Sequence, residues 1–327
     1  MKTHRRIKSD FHFCTVMHHL PLSDNATRQA IDSFAVFQAW LGAVEQARRF
    51  AGGMYFKREG EHEYLVKTLP DNRQRRLGRR SPETEATHQA FTTGKQQAES
   101  RLRSLAEALR EAERLNKALK VGRVPNVVVN VLNALEAAGL GPHFMVVGTH
   151  ALYAYETAAS VRISPGALAT QDVDLLWDAR KRVQFVGTMD KLDSSMLKVL
   201  QRADPSFQRM DNQLESAVND KGFMVDFLRR MAVDGDPHPF RFTDDEGDIW
   251  PVQAQRAEAF LHTPGFEQPI VSVTGRMALM RTIAPGVFVE FKRWMAGLDS
   301  RPAGKRRRDL LQADIVQSLL DEQLLMA

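Results

Sequence analysis

Apolar residues recur at three- and four-residue steps through residues 24–51, at Ile31, Phe34, Phe37, Leu41 and Val44. That rhythm predicts a helix, ended by Gly52-Gly53. Tyr55, Phe56, Tyr64, Leu65 and Val66 flank Glu59-Gly60 and predict a hairpin over 54–69. Pro70-Asp71-Asn72 reads as a turn, and RQRRLGRR after it as a basic loop. Ser81-Pro82-Glu83 is a helix start, with a serine cap, proline in the first turn and acids behind it. The stripe Leu102, Leu105, Leu109, Ala112 and Leu119, with Asn116 inside it, carries this long helix to about Lys120, with a bend expected at Gly94.

Gly122 to Pro125 breaks the pattern. Beyond it the chain predicts a helix over 126–138, a short buried strand HFMVVG, and a helix from Thr149 to about Ser160. A loop through Ser164-Pro165-Gly166 leads to the strand DVDLLW, residues 172–177. Residues 190–204 and 211–220 read as helices, FMVDFL (223–228) as a strand and 231–248 as a loop. A second hairpin over 270–283 turns at Thr274-Gly275, and helices follow at about 287–298 and 304–324. The sum is an α+β chain: a small mixed sheet flanked by helices, preceded by a helix and hairpin region and closed by helices. Three units are expected, over residues 1–122, 123–248 and 249–327.

Composition narrows the class. A 43% hydrophobic and 26% charged chain of 327 residues is neither disordered nor fibrous, and no run of 18 apolar residues offers a membrane span. His and Asp interrupt the first twenty residues, so no secretory signal is expected there. The single cysteine, Cys14, leaves no internal disulfide and fits a cytoplasmic setting. Charge is unevenly placed. Residues 71–120 carry 12 basic and 7 acidic groups, residues 163–248 carry 11 and 16, and residues 301–308 carry five basic and none acidic. An acidic middle lies between two basic segments. These are either solvated faces or a metal site with phosphate- or nucleic-acid-binding surfaces beside it.

The chemistry concentrates in three pieces. Alternation along a strand puts Asp172 and Asp174 on one face, with Val173 and Leu175 on the other. Two carboxylates so placed raise each other's pKa unless a cation lies between them, and hard oxygen donors favour Mg²⁺ or Mn²⁺. Asp226, flanked by Met-Val and Phe-Leu, is a third carboxylate that burial would penalise without a task. Gly148 lets the backbone approach a phosphate, and Thr149 offers a hydroxyl at the start of a helix. Such a set suits phosphoryl or nucleotidyl transfer. Lys292 and Lys305 either reach a phosphate or are surface lysines; Asp309, one helical turn from Lys305, could orient one of them. His12, Cys14, His18 and His19 match no standard zinc spacing. There is no P-loop and no GxGxxG. Tyr55, Phe56 and Tyr64 beside the arginines of 73–80 either stack on bases and hold phosphates or form a solvated accessory unit.

VVGTHALYAYE, TQDVDLLWD and FMVDFLRR resemble the three motif pieces of the nucleotidyltransferase superfamily typified by DNA polymerase beta: strand with Gly-Ser or Gly-Gly, Asp-x-Asp, and a third Asp on a strand. More narrowly, GGMYFKREGEHEYLV, RRLGRRSPETE and KRRRDLLQADIVQSLL together with these resemble bacterial nucleotidyltransferase-fold proteins of about this length. Thr149 stands where Ser or Gly is usual, and the interval from Gly148 to Asp172 is longer than the superfamily's, so residues 163–170 read as an insertion. The resemblance implies that residues 123–248 are a nucleotidyltransferase core. Asp172, Asp174 and Asp226 would be its catalytic, metal-binding carboxylates, and Gly148, Thr149 and the two lysines would hold the NTP. It implies transfer of an NMP to a hydroxyl of RNA (tRNA included), protein or a small molecule, in the manner of a toxin with an antitoxin partner. RNA would be held by segments 73–80 and 301–308. The alternative on the same fold is a non-catalytic nucleotide- or nucleic-acid-binding protein.

Overall fold

The computed structural model describes residues 18–70, 72–236 and 240–326. Its centre is one mixed sheet. From one edge the strands run Phe266–Val271, Met277–Thr282, Phe144–Val147, Asp172–Trp177, Met224–Arg229, Ser216–Val218 and Gln208–Arg209. The short strand Val252–Gln253 also lies parallel beside the end of Met224–Arg229. Asp172–Trp177 is parallel to Met224–Arg229 and antiparallel to Phe144–Val147. A boundary at 248/249 would run through this sheet, because the Phe266–Thr282 hairpin supplies two of its strands.

The two sheet faces differ. Val173, Leu175, Trp177, Val225 and Phe227 point to one side and are buried there. Trp177, Phe144, Phe185, Phe227 and Phe242 meet edge to face on that side, and Phe240 stacks on Trp177 at 4.6 Å. Such apolar packing drives folding. The opposite face carries Asp172, Asp174 and Asp226, under the two C-terminal helices Pro285–Ala296 and Ala303–Asp321.

An arm leaves this core. The helices Asp24–Arg49 and Pro82–Ala118 run antiparallel, Gln29 donating to Asn116 Oδ1 at 3.1 Å near one end. Toward the other end the Phe50 ring occupies the space a Cβ on Gly94 would fill, so that glycine admits a ring. Asn116 is buried in an otherwise apolar stripe because Gln29 and the Gly275 carbonyl satisfy it. The long helix starts as the sequence predicts, with Ser81 and Thr84 bonding reciprocally as a capping box and Pro82 in its first turn. Ala26, Ala30, Phe37 and Leu109 dock the arm on Val121, Val271 and Met277 of the core. Beyond the end of the first helix, a three-stranded antiparallel sheet, Gly53–Glu59, His62–Thr68 and Gln74–Arg79, lies along the first turns of the long helix.

Several expected elements differ. The basic RQRRLGRR is not a loop but that third strand, its backbone satisfied by Tyr64–Thr68. Ile31 is 64% exposed, since the seam between the arm helices is lined by small and polar residues, Ala26, Gln29, Ala30 and Ser33. Residues 190–204 hold parts of two helices, Arg182–Leu192 and Met196–Ala203, broken where Asp193 turns left-handed and Ser195 caps the second. Residues 211–220 contain no helix; Ser216–Val218 is a strand against Met224–Asp226, whose ladder outweighs the weak helical pattern there. The expected insertion at 163–170 is structured: Val161–Ile163 pairs with His19–Pro21 and Pro165–Leu168 is a short helix.

Gly275 joins arm and core. It turns the C-terminal hairpin at φ +87°, and a Cβ there would lie 2.0 Å from the Glu113 carbonyl oxygen of the arm. Gly275→Ala is expected to destabilise the protein by about 2 kcal/mol or more, read by denaturant unfolding. Gly166→Ala, where a Cβ meets nothing within 4 Å, should stay within about 0.5 kcal/mol of the parent.

Candidate active site

In the parallel pair, Asp226 lies directly beside Asp174, and Asp172 one pleat away beside Met224. All three carboxylates therefore share one sheet face. Val147, on the antiparallel neighbour, sits opposite Asp174, and the chain then turns at Gly148 with φ +71°. A Cβ on Gly148 would stand 2.4 Å from Asp174 Oδ2. The glycine is needed both for its left-handed backbone and for that approach.

Burial pushes the Asp174 carboxyl up to about 7, with Asp172 and Asp226 adding repulsion. Asp226 is also raised, mainly by burial, and its Oδ1 is buried without a hydrogen-bond partner among the described residues. Asp172 is held by the Thr170 hydroxyl, a contact the sequence reading missed although Thr170 is two residues away. Among the described residues no three His, Cys, Asp or Glu side chains converge as a finished metal cage. What exists is an open face of hard oxygen donors, one of them orphaned. Asp172 and Asp174, with Asp226 beside them, are the residues that could hold a divalent cation.

A cavity of about 400 Å³ opens over the Asp172 and Asp174 part of this face, and Asp226 is not among its lining residues. Gly148, Thr149, Thr170, Asp172 and Asp174 form its floor; Phe291, Trp294 and Leu298 form an apolar wall; Lys292, Arg301, Lys305 and Arg308 rim it. A larger cavity of about 630 Å³ on the aromatic side of the sheet contains none of the three aspartates. Thr149 is buried, and its hydroxyl accepts from Gln312 Nε2 at 3.2 Å while keeping its own proton to donate. The helix following Gly148 is a 3₁₀ turn through Ala151 and then only Leu152–Ala158.

The two lysines part company. Lys292 is buried, its Nζ 3.0 Å from Asp309 Oδ1, while Arg301 Nε meets Asp309 Oδ2 at 2.8 Å. Burial lowers the Lys292 pKa, with Asp309 and Asp174 opposing. Burial works against the Asp309 charge too, but its bonds to Arg301 and Lys292 outweigh that and hold the carboxyl below its usual range. Lys305 is exposed on the rim, and of the two lysines it is Lys292, with Arg301, that Asp309 meets, not its helical neighbour Lys305. Residue spacing identified Asp309 as a pairing group; only the packing of two helices chose its partners.

His150 was not singled out from the sequence. It is buried between Tyr153 and Phe223, neither ring nitrogen has a partner among the described residues, and burial lowers its pKa to about 4, with Asp172 opposing. His12 and Cys14 lie outside the described residues, and His19 Nε2 sits 3.2 Å from Glu322. Removing the carboxylate in Asp309→Ala leaves a buried ammonium uncompensated. Urea unfolding should show a loss of about 3–5 kcal/mol, whereas Lys305→Ala should stay within about 0.5 kcal/mol of the parent.

A family model described as nucleotidyltransferase matches residues 126–327, the whole of the core and both C-terminal helices. No curated protein and no solved structure matches the chain. Among the described residues no helix is long and apolar enough to cross a membrane. The Asp-Val-Asp strand, the in-register Asp226 and the glycine turn lie within the matched residues. The chain belongs to the nucleotidyltransferase family, enzymes that transfer nucleotidyl groups from nucleoside triphosphates.

Proposed function

We propose that this chain transfers an NMP from an NTP to a hydroxyl acceptor with the help of Mg²⁺ or Mn²⁺, using Asp172, Asp174 and Asp226. One observation carries the reading: Asp226 stands in register beside Asp174, on the face where Gly148 closes against the Asp174 carboxylate. Three acids clustered on one half-buried face are costly unless counter-charge arrives. A divalent cation bound there would supply that charge, steady the triphosphate and acidify the attacking hydroxyl.

The chain's own groups then divide the work. Asp172 is positioned by Thr170 and Asp174 by the close approach of Gly148. Lys292, Arg301, Lys305 and Arg308 face the cavity and would meet the phosphates. Trp294, Phe291 and Leu298 offer the base an apolar wall. The acceptor oxygen attacks the α-phosphorus, its bond to the pyrophosphate oxygen breaks in line, and pyrophosphate leaves. Asp226, in register beside Asp174, takes the hydroxyl proton.

The test pairs a binding readout with a chemical one. Mn²⁺ or Mg²⁺ should raise the melting temperature of the parent and leave that of Asp172→Asn/Asp174→Asn unmoved. With α-labelled NTPs and a pool of RNA, protein and small-molecule acceptors, either single substitution should lower transfer by at least about 10²-fold. Gly148→Ala, which displaces Asp174, should cost about as much with its fold retained by circular dichroism. No thermal shift with either ion, together with no transfer from any NTP, would sink the proposal.

A further inference from the structure

The small sheet on the arm has two unlike faces. Phe56, Leu65 and Gly78 are paired in register and look toward the long helix: Phe56 meets His88 at 5.4 Å, and Leu65 is fully buried. Tyr55, Lys57, Tyr64, Val66, Arg76 and Arg79 lie on the other face by strand alternation. On that face Val66 is buried at the centre, while Tyr55, Lys57, Arg76 and Arg79 around it are exposed and Tyr64 is half-buried. The Arg76 guanidinium stacks over the Tyr64 ring at 4.1 Å and is tied to Glu59. Among the described residues Arg79 has no acidic partner. Residues 53–80 carry eight Lys or Arg against four Asp or Glu, a net charge of +4.

An apolar docking face would not carry exposed Lys57, Arg76 and Arg79. A sheet face offering one exposed ring, one ring-backed guanidinium plane and two cations, Lys57 paired with Glu59 at 3.3 Å and Arg79 with no acidic partner among the described residues, matches single-stranded nucleic acid: stacking surfaces for bases, cations for phosphates. The net charge of +4 over residues 53–80 adds the second argument, favouring a polyanion over a neutral ligand.

We propose that the open face of this sheet is a binding platform for single-stranded RNA, Tyr55 and the Tyr64–Arg76 stack receiving bases and Lys57 and Arg79 receiving phosphates. Phe56, which the sequence offered as a third stacking ring, is excluded because it faces the helix. That the bound RNA is also the acceptor rests on the transfer reading; the binding does not.

Fluorescence anisotropy of the full chain with a fluorescein-labelled, mixed-sequence single-stranded RNA tests this. Tyr55→Ala should weaken binding about 10-fold. Arg79→Glu should weaken it similarly and reduce the slope of log affinity against log salt by about one, while Arg79→Lys stays within about 3-fold. Arg103→Glu, an exposed cation on the arm helix away from the sheet, should bind like the parent, so general charge is controlled. Asp172→Asn should bind RNA unchanged whether or not it transfers nucleotide, which separates failure of this proposal from failure of the chemistry. The platform is refuted by no RNA binding, by equal losses in Arg103→Glu, or by an RNA duplex bound as tightly with Tyr55→Ala silent. It is equally refuted if poly-glutamate binds with the same variant sensitivity and RNA does not, which would mark a site for an acidic protein.

Discussion

Two parallel strands, Asp172–Trp177 and Met224–Arg229, meet in a register that sets Asp226 against Asp174. The same register sets Phe227 against Leu175 on the other side, where burial of aromatic and aliphatic surface holds the pair together. A slip of one residue would turn the acids into the aromatic core and the core out to the cavity. The apolar face thus enforces the geometry of the acidic one. The cost is paid on the acidic face, where burial and mutual repulsion hold two carboxylates above their ordinary pKa values. The cavity rim answers with cations, but the nearest, Lys292, already shares Asp309 with Arg301. That pairing sets the buried Lys292 against Asp309, and its charge opposes the upward shift of Asp174.

The C-terminal helices do more than cover the sheet. Gln312 reaches both the Thr149 hydroxyl and the Ala167 carbonyl, and Arg308 reaches the Ala169 carbonyl. These bonds tie the helix to the segment between Gly148 and Asp172, the stretch whose length departs from the superfamily's usual spacing. The extra residues form a strand against His19–Pro21 and a short helix under the C-terminal one. The glycine turn and the Asp-x-Asp strand are therefore held from both ends of the chain. The first arm helix docks on the core as far as Arg48, which donates to the Glu136 carbonyl, and the small sheet follows beyond that point.

Much of the site could be read from the chain. The strand at 172–177 and the one around Asp226 were recognisable because alternation and apolar runs have a period of two, and carboxylates inside such runs are conspicuous. The long helix announced itself through Ser81-Pro82. Short pieces were harder. Gln74–Arg79 lacks apolar character because its partner strand, not a core, satisfies it, and Ser216–Val218 is too short for any period to show. Lys292 and Lys305 looked equivalent in sequence, since nothing local distinguishes a buried helical lysine from an exposed one. Thr170 and His150 owe their interest to neighbours distant in the chain or across a turn.

By itself the sequence determined the alternation that puts Asp172 and Asp174 on one side, the caps and breaks of the long helices, and the placement of charge in acidic and basic blocks. All of these depend on residues within a few positions of one another. The tertiary structure alone decided that Asp226 stands beside Asp174, that Asp309 serves Lys292 and Arg301, that Gly148 closes on a carboxylate, and that Tyr55 faces outward while Phe56 faces in. Each depends on register and packing between segments far apart in the chain, set by the free energy of burying the whole apolar surface together.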